Sequence, residues 1–248
     1  MRVLGVIPAR LGSTRLPNKP LQPLAGEPLI TRVIERVLEH GLIDQLVVAT
    51  DSARVVQVAE RSGIRGLLTD ASHQTGTDRV AEIAALPEFA AFDTVVNIQG
   101  DEPFLSRDAL AGSVARLAQD DDIGTAAAPL DAGLAADPSR VKVVLDAGGR
   151  ALYFSRAVIP HRRDADQGNG VYWQHLGIYA YTRSALARWV ALPPSPAEET
   201  EKLEQLRPLH FGLTIGVALL PEPALPGVDT ADDLRRAEAH WHAFQGQV

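Results

Sequence analysis

The residues of this chain that could do chemistry gather in a few short stretches. Residues 7–21, IPARLGSTRLPNKPL, hold Arg10, Arg15 and Lys19 together with three prolines, one glycine and no acid. Hydroxyls on Ser13 and Thr14, and backbone N–H groups around Gly12, can face anionic oxygens. The three cations keep their charge near neutrality, and arginine can grip an anion in bidentate fashion. A stiff loop of this composition predicts an anion site; the plainer alternative is a solvated basic loop. Neither GxxxxGK[ST] nor GxGxxG occurs in it, so it is not a Walker A loop or a dinucleotide fingerprint.

NIQGDEP (97–103) places Gln99 and two carboxylates, Asp101 and Glu102, directly after an apolar run. Such oxygens suit Mg²⁺, which is usually held by one or two protein carboxylates plus substrate phosphates. The competing role for Asp101 is a helix cap, for which Ser106 is better placed; the alternative for Glu102 is to point away beside Pro103. In PGVDTADDL (226–234), Asp229 is either a cap for the next helix or a second carboxylate for the same divalent ion. In HQTGTDR (73–79), the hydroxyls, Gly76 and Arg79 can grip a base or phosphate, against the alternative of a helix start capped by Thr77. The histidines are scattered without an HExxH pair, which argues against a transition metal. With no cysteine and no GxSxG there is no evident covalent nucleophile. That suits a reaction in which the substrate brings its own hydroxyl.

The elements that must position these residues follow an alternating pattern. RVLGVI (2–7), QLVVAT (45–50), DTVVNI (93–98) and IGTAAAP (123–129) read as buried strands. Helical stretches lie between them: 29–41, with Leu29, Val33, Val37 and Leu38 on one face and Gly41 as C-cap, then 52–63, 77–86 and 106–119 behind Ser106. This predicts a three-layer, doubly wound α/β fold with a mostly parallel sheet, in which ligands sit at the carboxyl ends of the strands. The basic loop occupies that position after the first strand. The second half differs: 140–156 reads as a hairpin turning at DAGG, 161–171 as a mobile surface loop, 175–181 as a strand. A helix over 198–209, a strand over 213–221 and a closing helix over 230–244 complete the reading. A single domain over 1–248, with a β-rich substrate or dimerisation insertion at about 140–182, is the expected organisation.

Bulk properties narrow the partners. A net charge of −7 argues against a nucleic-acid coat or an anionic-membrane binder, yet residues 1–26 carry four cations and no acid. A basic island on an acidic chain points to a small polyanion. No stretch approaches a membrane span of about 20 apolar residues and none resembles a signal peptide, so a cytoplasmic protein is expected.

Taken in order, IPARLGSTRLPNKPL, VVATD (47–51), SHQTGTDR (72–79), VNIQGDEP (96–103), VKVVLDAGGRALYFSRAVIP (141–160), HLGIYAY (175–181), LEQLR (203–207) and PGVDTADDL (226–234) resemble the 3-deoxy-manno-octulosonate cytidylyltransferase (CMP-Kdo synthetase) family over nearly the whole chain. That family is nucleotidyltransferase in fold. It makes CMP-Kdo and pyrophosphate from CTP and Kdo for bacterial lipopolysaccharide. The resemblance implies that Arg10, Ser13 and Lys19, with Arg15 close by, contact the CTP phosphates. Thr75, Gly76 and Arg79 would lie along the nucleotide, and Gln99 at its cytosine or sugar end. Asp101 and Asp229 would ligate Mg²⁺ and, with Lys19 and Arg15, form the catalytic group. Arg156, His175, Tyr179, Glu204 and Gln205 would form the Kdo pocket. It also implies a cytoplasmic homodimer with CTP and Kdo as substrates, no nucleic acid and no membrane insertion. Departures are Thr75 where the family has Ser, His161 in IPH where IPW is more familiar, and a shortened 161–171 loop. Rival readings are a CMP-sialic acid synthetase, which should lack HLGIYAY and LEQLR, an enzyme for an amino-Kdo analogue, and a nucleotide-sensing regulator, which would be expected to lose Asp101 or Asp229.

Overall fold

The structure is a computed structural model that describes residues 1–13, 15–163 and 172–245. Along the chain come β1 (Val3–Ala9), β2 (Pro23–Leu24), β3 (Glu27–Pro28), α1 (Leu29–His40), β4 (Gln45–Thr50), α2 (Ala53–Arg61), β5 (Arg65–Leu68), α3 (Gly76–Ala85) and β6 (Thr94–Asn97). Then follow α4 (Arg107–Arg116), β7 (Ile123–Leu130), β8 (Lys142–Leu145), β9 (Ala151–Ser155), β10 (Tyr172–Thr182), α5 (Arg183–Ala191), α6 (Pro196–Glu201), α7 (Leu206–His210), β11 (Ile215–Leu219) and α8 (Ala231–Gln245). This is an α/β fold. Its contacts group into two compact units, Met1–Leu105 with Leu225–Val248, and Ser106–Ala224. Among the described residues no helix is long and apolar enough to cross a membrane.

In the first unit β1 pairs in parallel with β4 on one side and β6 on the other, and β5 adds in parallel beyond β4. Leu4, Val6, Ile7, Val47, Val48, Val95 and Val96 are fully buried, which is why these strands read as unbroken apolar runs rather than alternating ones. The α1 helix buries Leu29, Ile30, Val33, Ile34 and Val37, and Gly41 ends it in the left-handed conformation at φ 64°. Each such side chain contributes about 1.5–3 kcal/mol on burial. Leu38, predicted on the buried face, is instead exposed: it lies about 100° past Val37, beyond the edge of the apolar stripe. Thr75, not Thr77, caps α3 through a reciprocal pair with Asp78.

In the second unit β7 pairs in parallel with β11 and antiparallel with β10, while β8 and β9 form the hairpin predicted over 140–156. The α4 helix packs very closely on β7 at Gly124, where a Cβ would fall 1.8 Å from the Ser113 carbonyl oxygen. Ser106 caps α4 by accepting from the Ala109 N–H at 3.1 Å. The single helix predicted over 198–209 is two short helices, broken at Lys202 in the left-handed region with φ 53°. A continuous helix would leave Pro208 with no N–H to donate four residues back; restarting at Leu206 puts it in a first turn, where no donor is needed.

Candidate active site

The carboxyl ends of β1, β4 and β6 share one edge of the first unit. Strand order reverses at β1, because β4 and β6 flank it on opposite sides. Open α/β sheets bind their ligands at that switch point. The strand β1 runs on through Pro8 and Ala9, so the basic loop begins at Arg10. Leu16 anchors the loop in an apolar cluster with Leu24, Leu29, Phe104, Val228 and Trp241, and its N–H donates to Ser13 Oγ at 3.2 Å. Asn18 takes a left-handed turn, φ 52°, into the short 3-10 segment Lys19–Leu21 with Pro20 buried. The backbone of Lys19 is thus held, and only its flexible stem decides where the ammonium goes.

The Lys19 Nζ donates to Asp101 Oδ2 and, at 2.9 Å, to Asp229 Oδ1. Arg15 Nη2 lies 3.1 Å from the other oxygen, Asp229 Oδ2. Two predicted cations and both predicted carboxylates therefore meet in one place. The backbone reinforces this, since the Val228 N–H donates to the Asp101 carbonyl at 2.8 Å. The capping alternative for Asp229 is removed: Thr230 Oγ1 accepts from the Asp233 N–H at 3.1 Å, and the Asp233 carboxylate accepts from the Thr230 N–H at 2.9 Å. The Asp229 carboxylate is left to face the cations.

Glu102 does not point away. A Cβ placed on Gly227 would lie 2.8 Å from Glu102 Oε1, so the glycine makes room for that carboxyl. Burial, then the charges of Asp101 and Asp229, push its pKa up to about 8. Burial opposes the Lys19 charge, but Asp101 and Asp229 outweigh it and raise the ammonium pKa above its ordinary value. The pocket is rich in acidic oxygen: the Glu102 carboxyl is driven toward its neutral form first by burial and then by two carboxylates that share one ammonium. This donor set fits Mg²⁺, a hard cation that takes one or two protein carboxylates and completes its shell from substrate phosphates. Asp101 and Asp229 are the residues that would hold it. Among the described residues no group of three or more His, Cys, Asp or Glu is arranged for a metal.

The other predicted nucleotide residues are placed as follows. Arg10 is exposed at the start of the loop, Thr14 lies outside the described residues, and Thr75 spends its hydroxyl on the α3 cap. Gly76 sits against Pro8, where a Cβ would come within 3.2 Å of the proline ring. Gln99 Nε2 donates to Asn97 Oδ1 at 3.3 Å. Arg79 is buried, with its guanidinium on Asp51 Oδ2 (2.7 Å), Thr69 Oγ1 (2.7 Å) and the Asp70 carbonyl (3.1 Å). Those contacts tie the ends of β4 and β5 to α3. Asp51, the last residue of VVATD, is thus the carboxylate that pairs with the buried Arg79.

The five predicted sugar residues all belong to the second unit. His175 and Tyr179 are brought together on β10, with ring centroids 5.4 Å apart, and Phe154 meets the imidazole edge-on at 4.9 Å. The imidazole Nε2 pairs with Thr125 Oγ1 at 3.0 Å, and burial lowers the His175 pKa to about 3, so this histidine is neutral. Burial, then Tyr181 and Glu204, raise the Tyr179 hydroxyl well above its ordinary value. Gln205 is buried at the start of α7. Arg156 directs its guanidinium to the carbonyls of Glu201 (2.8 Å), Pro138 (2.9 Å) and Lys202 (3.3 Å), clamping the end of α6. Sequence reasoning missed Lys142, which is fully buried and donates to the carbonyls of Arg140 and Arg156, both at 2.6 Å. In VKVVL it looks like an outward-facing strand residue. Most of the predicted loop at 161–171, residues 164–171, lies outside the described residues.

Residues 4–215 match the family model described as cytidylyltransferase. The chain is 53% identical over 245 residues to the 3-deoxy-manno-octulosonate cytidylyltransferase of Gemmatimonas aurantiaca, covering 97% of this chain and 95% of the relative. It is 46% identical to the protein of that name from Methylococcus capsulatus, covering 95% of each. Among solved structures it is similar to CMP:2-keto-3-deoxy-manno-octonic acid synthetase complexed with CTP, with a TM-score of 0.90 and 37% identity over 98% of this chain and 99% of that one. A 4-diphosphocytidyl-2C-methyl-D-erythritol synthase from Anaerococcus prevotii shares the fold, with a TM-score of 0.62 at 13% identity over 97% of this chain and 98% of that one.

Proposed function

The chain belongs to the cytidylyltransferase family, among the 3-deoxy-manno-octulosonate cytidylyltransferases, and on that premise we propose that it transfers CMP from CTP to the anomeric 2-hydroxyl of Kdo, releasing pyrophosphate. The observation that carries this reading is the meeting of Lys19 and Arg15 with Asp101 and Asp229 at the sheet's switch point. The Kdo hydroxyl attacks the α-phosphorus in line; its bond to phosphorus forms as the bond to the bridging oxygen of pyrophosphate breaks, and the hydroxyl proton is released to solvent. Lys19 and Arg15 offset the charge that develops on the leaving pyrophosphate. Arg10 and Ser13 hold the phosphates, and Thr75, Gly76 and Gln99 line the nucleoside, with Arg79 bracing that wall from behind. His175, Tyr179, Glu204 and Gln205 orient the sugar acid, and Arg156 fixes the chain that carries Glu204. When bound, Mg²⁺ on Asp101 and Asp229 supplies charge that polarises the α-phosphate and makes the hydroxyl more acidic. No side chain forms a covalent intermediate; the protein positions and neutralises. Cytoplasmic residence and a homodimer belong to the same reading.

The test is pyrophosphate release with CTP and Mg²⁺ against Kdo, 8-amino-Kdo and sialic acid. Release is expected with Kdo in preference to the other two. Failure with every Kdo-type sugar would overturn the assignment.

A further inference from the structure

The Lys19 ammonium stands between the two carboxylates that would hold the divalent ion. It is bonded to Asp101 Oδ2 and to Asp229 Oδ1, while Arg15 takes Asp229 Oδ2. A hard cation seeks those same oxygens, and a divalent ion held there would repel an ammonium at contact distance from them. We propose that Lys19 is an internal counter-cation: it holds the Asp101–Asp229 pair together and must swing off it before a divalent ion can enter, so that phosphate and metal are admitted together. This rests on the functional reading above and deepens it, adding a coupling device to the transfer site.

Three features support an exchange made by the side chain alone. The loop that carries Lys19 is anchored on both flanks, by buried Leu16 before it and buried Pro20 after it. The stem of Lys19 is flexible, and its side chain keeps 18% exposure, so it is not sealed in by packing. Finally, the pair cannot simply be left bare. Asp101 and Asp229 each bond the same ammonium, and without a cation between them their mutual repulsion would grow. A triphosphate arriving at the basic loop offers Lys19 new anionic oxygens, and the metal that accompanies it takes over the carboxylates. Neither exchange is favourable alone, which couples the two ligands.

The experiment is a Mn²⁺ titration of the full chain without nucleotide, read by the loss of the free-ion paramagnetic resonance signal. Wild type is expected to bind weakly. Lys19→Met should bind one Mn²⁺ at least about tenfold more tightly, within the usual range of coupling between sites. Arg15→Met removes the same charge but touches only one of the carboxylates, so it should gain clearly less. The double variant Lys19→Met/Asp101→Asn should lose the new site. Equal gains in Lys19→Met and Arg15→Met would reduce the effect to local charge and overturn the exchange, as would no gain in Lys19→Met. Thermal melts of each variant check folding, and Lys19→Gln repeats the test if Lys19→Met does not fold. Pyrophosphate release by wild type with CTP and Kdo is scored separately, so failure of the exchange and failure of the catalytic reading remain distinguishable.

Discussion

Replacing Asp101 by Asn exchanges one carboxylate oxygen for an amide and removes one negative charge from the Lys19 cluster. The structural cost is small. Lys19 keeps its 2.9 Å bond to Asp229 Oδ1, so the ammonium is not orphaned, and the remaining amide oxygen can still accept from it. Both partners keep some exposure, 18% and 23%, which discounts the lost ion pair to about 1 kcal/mol. For a chain of this size that lowers Tm by about 2–4 °C. The catalytic cost is of another order. Removing one preorganised electrostatic group that acts on the transition state costs about 10²–10³-fold in kcat. Losing a divalent-ion ligand as well places the expected loss at the upper end of that range or beyond it. The assay is pyrophosphate release at saturating CTP and Kdo, with a thermal melt of the same preparation. Turnover within tenfold of wild type in a folded variant would refute the role given to Asp101. A fall of 10 °C or more in Tm would show that the carboxylate is chiefly structural.

Three further outcomes follow from the same geometry. Asp121 is buried and accepts from Arg116 at 2.7 and 2.8 Å and from Arg150 at 2.6 Å; Asp121→Ala strands the Arg116 guanidinium and should cost about 3–5 kcal/mol by chemical denaturation, and less than 1 kcal/mol would refute the network. The folded-state pKa of His175, about 3, lies below its ordinary 6.5, so the unfolded chain binds a proton that the native one refuses. Stability contributed by the neutral ring is present above pH 6.5 and falls as pH drops toward 3, by about 1.4 kcal/mol per pH unit. A His175→Gln variant should show a flatter acid limb in stability-versus-pH curves than wild type, and parallel curves would exclude the effect. Gly124→Ala drives a methyl against the Ser113 carbonyl and should cost about 1–3 kcal/mol or more in urea unfolding, with no loss if α4 can slide freely.

Much of the first unit was legible because β1, β4 and β6 are buried on both faces and so appear as short, unbroken apolar runs, whereas the partly exposed β5 gives no such signal. QLVVAT became β4 with its predicted ends, and Gly41 and Ser106 ended and began their helices as their types dictate. The differences have two sources, neighbours in space that outweigh local preference and local signals finer than the helical period. Leu38 fits the helical period but lies just beyond the edge of the apolar stripe of α1, while Val37 and His40 on either side of it stay buried. Thr75 and Thr77 are equally good caps by type, and only the position of Asp78, three residues after Thr75, selects the first. Pro208 is a visible signal against a single helix over 198–209, because an interior proline has no N–H to donate. Lys142 left no signal at all, since an alternating strand gives no sign that main-chain carbonyls will close over one of its lysines.

The candidate site shows the same limit more sharply. Residue type and position after a strand were enough to single out Asp101 and to hold Asp229 at even terms with a helix cap. What decided Asp229 was Thr230, whose pairing with Asp233 supplies the cap and releases the neighbouring carboxylate. The partner of Lys19 was not readable by any spacing rule, because Asp101 and Asp229 lie 82 and 210 residues further along the chain. From sequence Lys19 belonged to phosphate; in the fold it belongs to two carboxylates. Both assignments hold only if the ammonium moves between them, and an anchored backbone with a free four-carbon stem is the arrangement that lets it do so without moving the loop.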